Sequence, residues 1–144
     1  MTLHLQKLCV GAESIADLHA WIMARLEEKR RQGMPAEQIH VTRSTPQRAA
    51  ELLDGGSLYW VIRGTLRVRQ RLLDIRSFTD ADGTPRCGLV LEPVLIPTEA
   101  LPRRAFQGWR YLTAADAPRD LGAAAAETGL PQSLAQELRE LGLL

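Results

Sequence analysis

Arg67, Arg69 and Arg71 recur at every second position, and on a β-strand that spacing brings three guanidinium groups to one face. A guanidinium is a planar fork of donors that matches phosphate or carboxylate oxygens in pairs, whereas a lysine ammonium is a mobile point charge. The preference runs through the chain. Of its 18 basic residues only Lys7 and Lys29 are lysine, and eleven arginines fall between Val41 and Leu112. A GC-rich coding sequence would produce the same bias. Three like charges at this spacing repel unless they are solvated, paired or occupied by an anion. Two readings follow: an anion-binding face, or a solvated strand face neutralised by Asp74, Asp80 or Asp82 and by neighbouring strands. After Leu72 the phase flips, since Leu73 and Ile75 continue the arginine parity while Asp74 and Arg76 take the other. A bulge at Leu72–Leu73 keeps the apolar residues inward.

A second basic cluster, Arg103-Arg104-Ala105-Phe106-Gln107-Gly108-Trp109-Arg110-Tyr111, interleaves arginine with aromatic rings. That mixture suits a groove that tracks phosphates while bases stack on its walls. The plainer alternative makes Phe106 and Trp109 core residues and leaves Arg110 at the surface. A third candidate is His40-Val41-Thr42-Arg43 running into Thr45-Pro46, where a strand end meeting a helix N-terminus gathers backbone N–H groups into an anion seat. Its alternative is a capped helix beside an exposed Arg43.

Other chemistries find no pattern. His4, His19 and His40 stand on three different elements without metal-ligand spacing, so neither a metal nor a cofactor is expected. There is no G-x-S-x-G elbow, P-loop or G-x-G-x-x-G. Cys87 follows Arg86 but has no histidine neighbour and reads as structural. His40 is a general-base candidate with no partner carboxylate in sequence, and no catalytic residue is identified.

The elements that must hold these groups are marked by capping and period. Leu3 to Val10 reads as a strand inside a sheet, with Leu3, Leu5 and Cys9 on one face and Leu8 and Val10 on the other. Ser14 with Asp17 starts a helix whose stripe is Ile15, Leu18, Trp21, Ile22, Arg25 and Leu26, stopped by Gly33 and Pro35. Ile39 to Thr42 is a short strand. Thr45 as N-cap with Pro46 at the first helical position predicts a second helix through Leu53. Leu58 to Ile62 has the character of a central strand, and Leu66 to Phe78 of a long bulged one. A turn at Asp80–Gly83 leads back into Cys87–Leu91. Val94–Ile96 and Phe106–Leu112 are further strands, separated by a loop from Pro97 to Pro102. Ala123–Ala126 and Leu134–Leu141 read as helical.

The chain of 144 residues has a formal charge of +1, with 45% hydrophobic and 24% charged residues, as in ordinary globular domains. Charge is uneven: residues 41–112 hold eleven basic and seven acidic side chains, residues 113–144 two and five. Met1 to Gly11 lacks a secretory pattern, and no apolar run reaches the roughly 20 residues of a membrane helix. Two cysteines outside any C-x-x-C spacing fit reduced thiols. The expectation is a cytoplasmic single domain spanning residues 1–144, with no membrane partner.

Three blocks, Met1 to Gly11, Glu51 to Gly64 and Pro102 to Leu112, are similar to a bacterial family, the domain of unknown function numbered 1489, found mainly in Alphaproteobacteria. The resemblance implies a cytosolic bacterial context and carries no activity. A second resemblance is to PUA-like β-barrels of the ASCH and EVE branches. Arg71-x-x-Asp74-x-Arg76 is similar to the ASCH pattern Gly-x-Lys-x-x-Glu-x-Arg, with Arg69 standing where that family has glycine. Tyr59-Trp60-Val61-Ile62-Arg63 resembles the opening strand of EVE domains, here in mid-chain. That resemblance implies binding of RNA or a modified base in a basic cleft of a barrel.

The expected fold is α+β, a curved and mostly antiparallel sheet or a small barrel, PUA-like where the second resemblance applies, packed by two to three helices. The expected function is binding of an anionic ligand, RNA or a nucleotide, through Arg43, Arg67, Arg69, Arg71, Asp74, Arg76, Arg103, Arg104, Trp109 and Arg110. One alternative is an enzyme acting on a phosphorylated or carboxylated metabolite, with His40 or Asp74 as acid/base and Arg43 as clamp. The other is a protein-interaction module, whose acidic residues Glu127, Glu137 and Glu140 cover the basic face in cis or in a homodimer.

Overall fold

Ser14 starts the long helix by its own chemistry: in the computed structural model, which describes residues 2–121, its side chain accepts from the Asp17 N–H at 3.0 Å. The Asp17 carboxylate answers by accepting from Glu13 N–H at 3.1 Å, a reciprocal cap shifted by one residue. The helix, α1 (Ile15–Arg31), follows β1 (Leu3–Leu8). After it come β2 (Gln38–Thr42), the single turn α2 (Ala49–Leu52), β3 (Ser57–Ile62), β4 (Thr65–Thr79), β5 (Pro85–Leu91), β6 (Ile96–Pro102) and β7 (Trp109–Thr113). The fold is α+β. The two expected C-terminal helices lie outside the described residues, as do Glu127, Glu137 and Glu140.

The strands form one mixed sheet in the order β2-β5-β4-β3-β1-β7, with β6 paired to β4 beside this path. Among the described residues β1 and β3 run parallel and the other strand pairings are antiparallel. Ile15, Leu18, Ile22 and Leu26 of α1 pack on one face against Leu3, Leu5, Leu58, Trp60, Val68, Leu72 and Leu89. Trp21 belongs to the same helical stripe but stays half exposed, with the Arg25 guanidinium 4.6 Å from its ring centre. A smaller cluster of Tyr59, Val61, Leu66 and Leu112 lies on the other face.

The phase flip after Leu72 is a bulge: Leu72 opposes Leu91 and Asp74 opposes Val90, leaving Leu73 unopposed and 51% exposed. Ile75 then returns to the core. A second irregularity pairs Trp60 with Val68 and Val61 with Leu66, so that Arg67 is the extra residue.

Three local expectations are corrected. Pro97 to Pro102 is strand β6, not a loop; it pairs with β4 on one edge and meets residues 119–121 on the other through Glu99 N–H to Arg119 O and Leu121 N–H to Pro97 O. Prolines are tolerated there because β6 lies off the central strand path. The helix expected from Pro46 is only Ala49–Leu52, led in by Arg48. Thr45 meets the Ser77 hydroxyl at 3.2 Å instead of capping. The cause is tertiary: the Trp109 indole N–H donates to Ser44 O at 2.9 Å and Arg48 N–H donates to the Tyr111 hydroxyl at 3.3 Å, pinning this stretch to β7. Finally, β2 and β7 end the sheet without pairing to each other, so the sheet is open and the small-barrel alternative does not hold.

Candidate functional site

Leu3, Leu5 and Lys7 share one parity on β1, so Lys7 points toward the face that buries the two leucines. Registers set it in a row across the sheet: Trp109 on β7, Lys7 on β1, Trp60 on β3 and Val68 on β4. Two cavities meet at this row, on the α1 side. The outer one, a cleft of about 900 Å³, lies between the two unpaired sheet edges and is lined by Val41 to Thr45, Gln47, Arg86, Gln107, Gly108, Trp109, Tyr111 and Lys7. The inner one, about 410 Å³, runs under the start of α1 and is lined by Lys7 to Ala12, Asp17, Leu18, Trp21, His40, Val41 and Trp60. Lys7 and Val41 belong to both.

Among the described residues the cleft lining holds three cations, Lys7, Arg43 and Arg86, and no carboxylate. Arg86 is held by Asp80 at 3.0 Å, outside the lining. Burial lowers the Lys7 pKa from its ordinary value, and no acidic group among the described residues opposes it. Gly108, at φ +67°, turns the chain into β7 so that Trp109 lines the cleft wall, where its indole edge meets the Tyr111 ring at 5.0 Å.

The inner cavity is aromatic and nearly neutral. The His40 ring sits edge-to-face on Trp60 at 5.0 Å, and its Nε2 is buried with no hydrogen-bond partner among the described residues. Burial, aided by Lys7 from β1 and Arg25 from α1, pushes the His40 pKa down to about 4; Asp17 also lines the cavity. Burial likewise raises the Cys9 thiol to about 11, so the two do not form an activated nucleophile pair. Trp60 is seated from below by Gln70, whose Oε1 accepts its indole N–H at 2.9 Å.

His40 makes the fold acid-sensitive. Its folded pKa lies below the unfolded value, so the unfolded chain binds the extra proton, and stability falls as pH drops from about 6.5 to about 4. The expected loss is on the order of 2–3 kcal/mol. His4, lowered by burial and by Arg69, adds in the same direction. Urea midpoints at pH 7 and pH 4.5 for wild type and His40→Gln test this; an equal drop in both proteins removes His40 as the cause.

The residues singled out from sequence divide between two faces. Arg43 and Trp109 line the cleft. Tyr59 and Arg69 sit opposite each other, as do Ser57 and Arg71, which sets both arginines on the face away from α1. Gln6, itself opposite Tyr59 on that face, pairs with Arg110. Arg69 is 22% exposed and fully engaged, gripping Asp120 with two bonds of 2.8 and 2.7 Å and Ser57 Oγ with a third of 2.8 Å. Arg76 grips Glu37 and Asp74, which lowers both carboxyl pKa values. Arg103 donates to Gln6, Arg110 lies over the Phe106 ring at 4.9 Å, and Arg104 is exposed. Arg67 occupies the bulge. The sequence reading passed over Lys7, Arg86 and Trp60. A signal existed for Lys7: a lone lysine on the inward parity of an apolar strand.

Among the described residues no His, Cys, Asp and Glu side chains cluster to hold a metal, and no helix is long and apolar enough to cross a membrane. A family model described as "Protein of unknown function (DUF1489)" matches residues 5–144, and the chain belongs to that family. No curated protein and no solved structure matches it.

Proposed function

We propose that this member of the DUF1489 family binds a nucleotide-type ligand, free or as RNA, in the cleft between the β2 and β7 edges. The observation that carries this reading is the cleft lining: Lys7 and Arg43 beside Trp109 and Tyr111, with no carboxylate among the described lining residues and with Arg86 held by Asp80. Cations set among aromatic rings accept phosphate and stack bases together. Lys7 supports the reading further, because an anion beside it would restore the charged form that burial disfavours. The arginine face of β4 supports it less, since Arg69 already has an acidic partner.

The enzyme alternative gains from His40 and Arg43 lining adjoining cavities. It loses on chemistry. A histidine with a pKa of about 4 is a weak base at neutral pH, and Asp74 is taken up by Arg76.

Fluorescence titration with single-stranded RNA and with 5′-nucleotides at 50 and 200 mM salt tests the proposal. RNA affinity is expected to fall about tenfold between the two salt concentrations, as two or three phosphate contacts require. Lys7→Gln with Arg43→Gln is expected to weaken binding about 30-fold or more. Arg71→Gln with Arg104→Gln is expected to change it little. Absence of saturable binding, or equal loss in both double variants, would falsify the proposal.

A further inference from the structure

The inner cavity has no part yet in phosphate binding, although it opens onto the cleft at Lys7 and Val41. We infer that it receives a planar heteroaromatic ring, the base of a nucleotide whose phosphate lies on Lys7 and Arg43; the inference rests on the nucleotide reading of the cleft. Its volume of about 410 Å³ falls among small-molecule pockets, roughly 300–1,000 Å³. Trp21 of α1, half exposed, gives it an indole wall, while the nearly buried Trp60 of β3 borders it from the sheet. The Arg25 guanidinium lies over the Trp21 ring, 4.6 Å from its centre, so this wall is a cation-backed ring of the kind on which bases stack.

Polar groups for reading a base edge are few and well placed. His40 lines the cavity, and its Nε2, buried without a partner among the described residues, would meet a ring nitrogen or exocyclic group of the ligand once the imidazole turns toward the cavity. Asp17 lines the same cavity, with one carboxylate oxygen already accepting from Glu13 N–H. Lys7 stands at the mouth, between the aromatic chamber and the basic cleft, where a base and its phosphate would diverge. Such a geometry favours a mononucleotide, or the terminal nucleotide of a strand, over an internal stretch of RNA.

The test uses the full chain in equilibrium dialysis against AMP, GMP, CMP and UMP, with ribose 5-phosphate as the probe that lacks a base. Wild type is expected to bind at least one nucleotide roughly tenfold to hundredfold more tightly than ribose 5-phosphate, the range that stacking of one base supplies. Trp21→Ala removes a half-exposed side chain and is expected to erase most of that ratio while leaving ribose 5-phosphate binding unchanged. His40→Phe keeps a ring in place, and is expected to lower the affinity of the preferred nucleotide alone. Lys7→Gln should weaken every probe equally. Equal binding of nucleotides and ribose 5-phosphate by wild type overturns the base chamber and leaves the phosphate cleft standing. RNA binding without any mononucleotide binding also overturns the chamber alone. No binding of any probe overturns both.

Discussion

Gly56→Ala is expected to abolish the folded state at ordinary temperature. A Cβ at this position would sit 2.2 Å from Leu3 O and 2.3 Å from Leu52 O, both backbone atoms of buried residues. Neither can yield cheaply, because Leu3 lies in β1 and Leu52 closes α2. Nor can Gly56 itself withdraw: its N–H donates to Leu52 O at 2.9 Å and its carbonyl accepts from Leu72 N–H at 3.0 Å. The expected destabilisation exceeds about 4 kcal/mol, a large part of the total stability of a domain this size. Gly83→Ala is the control. It sits in an open turn at φ +81° with nothing near its Cβ position, so only backbone strain of about 1–2 kcal/mol is expected. Thermal unfolding of the two variants decides the matter; a Gly56→Ala protein melting within about 5 °C of wild type would show that the backbone accommodates the methyl group.

Gln70→Leu carries the next largest effect. Gln70 is wholly buried and uses its amide completely. Its oxygen accepts from Trp60 Nε1 at 2.9 Å and from Gln38 Nε2 at 3.2 Å, while its nitrogen donates to Gln38 Oε1 at 2.6 Å and Glu92 O at 3.0 Å. Leucine fits the space and removes every one of these bonds. The buried Trp60 N–H then has no acceptor, at about 1–3 kcal/mol, and the Gln38 amide and Glu92 carbonyl add to it. A total loss of about 3–5 kcal/mol is expected in urea unfolding. Adding Gln38→Leu should recover part of it, since unpaired polar groups disappear with the second amide. A loss below about 1 kcal/mol for the single variant would mean that packing alone seats Trp60. Nucleotide binding should weaken alongside stability, because Trp60 forms a wall of the inner cavity.

The parts of the fold written in local pattern were readable. Ser14 and Asp17 announce α1, the unbroken apolar run Leu58–Ile62 announces a central strand, and the parity change after Leu72 announces a bulge. The parts decided by distant partners were not. Pro97 and Pro102 argue for a loop until β4 is known to offer an edge. Thr45-Pro46 reads as a helix start until Trp109, 65 residues from Ser44, takes hold of that stretch. A neutralised arginine face was one of the two readings, but with Asp74, Asp80 or Asp82 as the acid; the one that closes on Arg69, Asp120, lies 51 residues away. The cleft was hidden for the same reason. Its lining comes from β1, from β2 and the stretch after it, from β5 and from β7, and only the sheet order brings them together.

That sheet order also has a consequence in time. β7 pairs with β1 across more than a hundred residues, as the bond from Gln6 to Tyr111 O marks, and it carries Trp109 and Tyr111 into the cleft wall. Contacts of such long range form late, after the loop between them has been ordered. During synthesis, therefore, β1 waits with one edge unpaired until Tyr111 has left the ribosome, and the two walls of the cleft meet only then. A nascent chain short of this strand has no complete cleft, so the binding proposed for it would belong to the finished sheet alone.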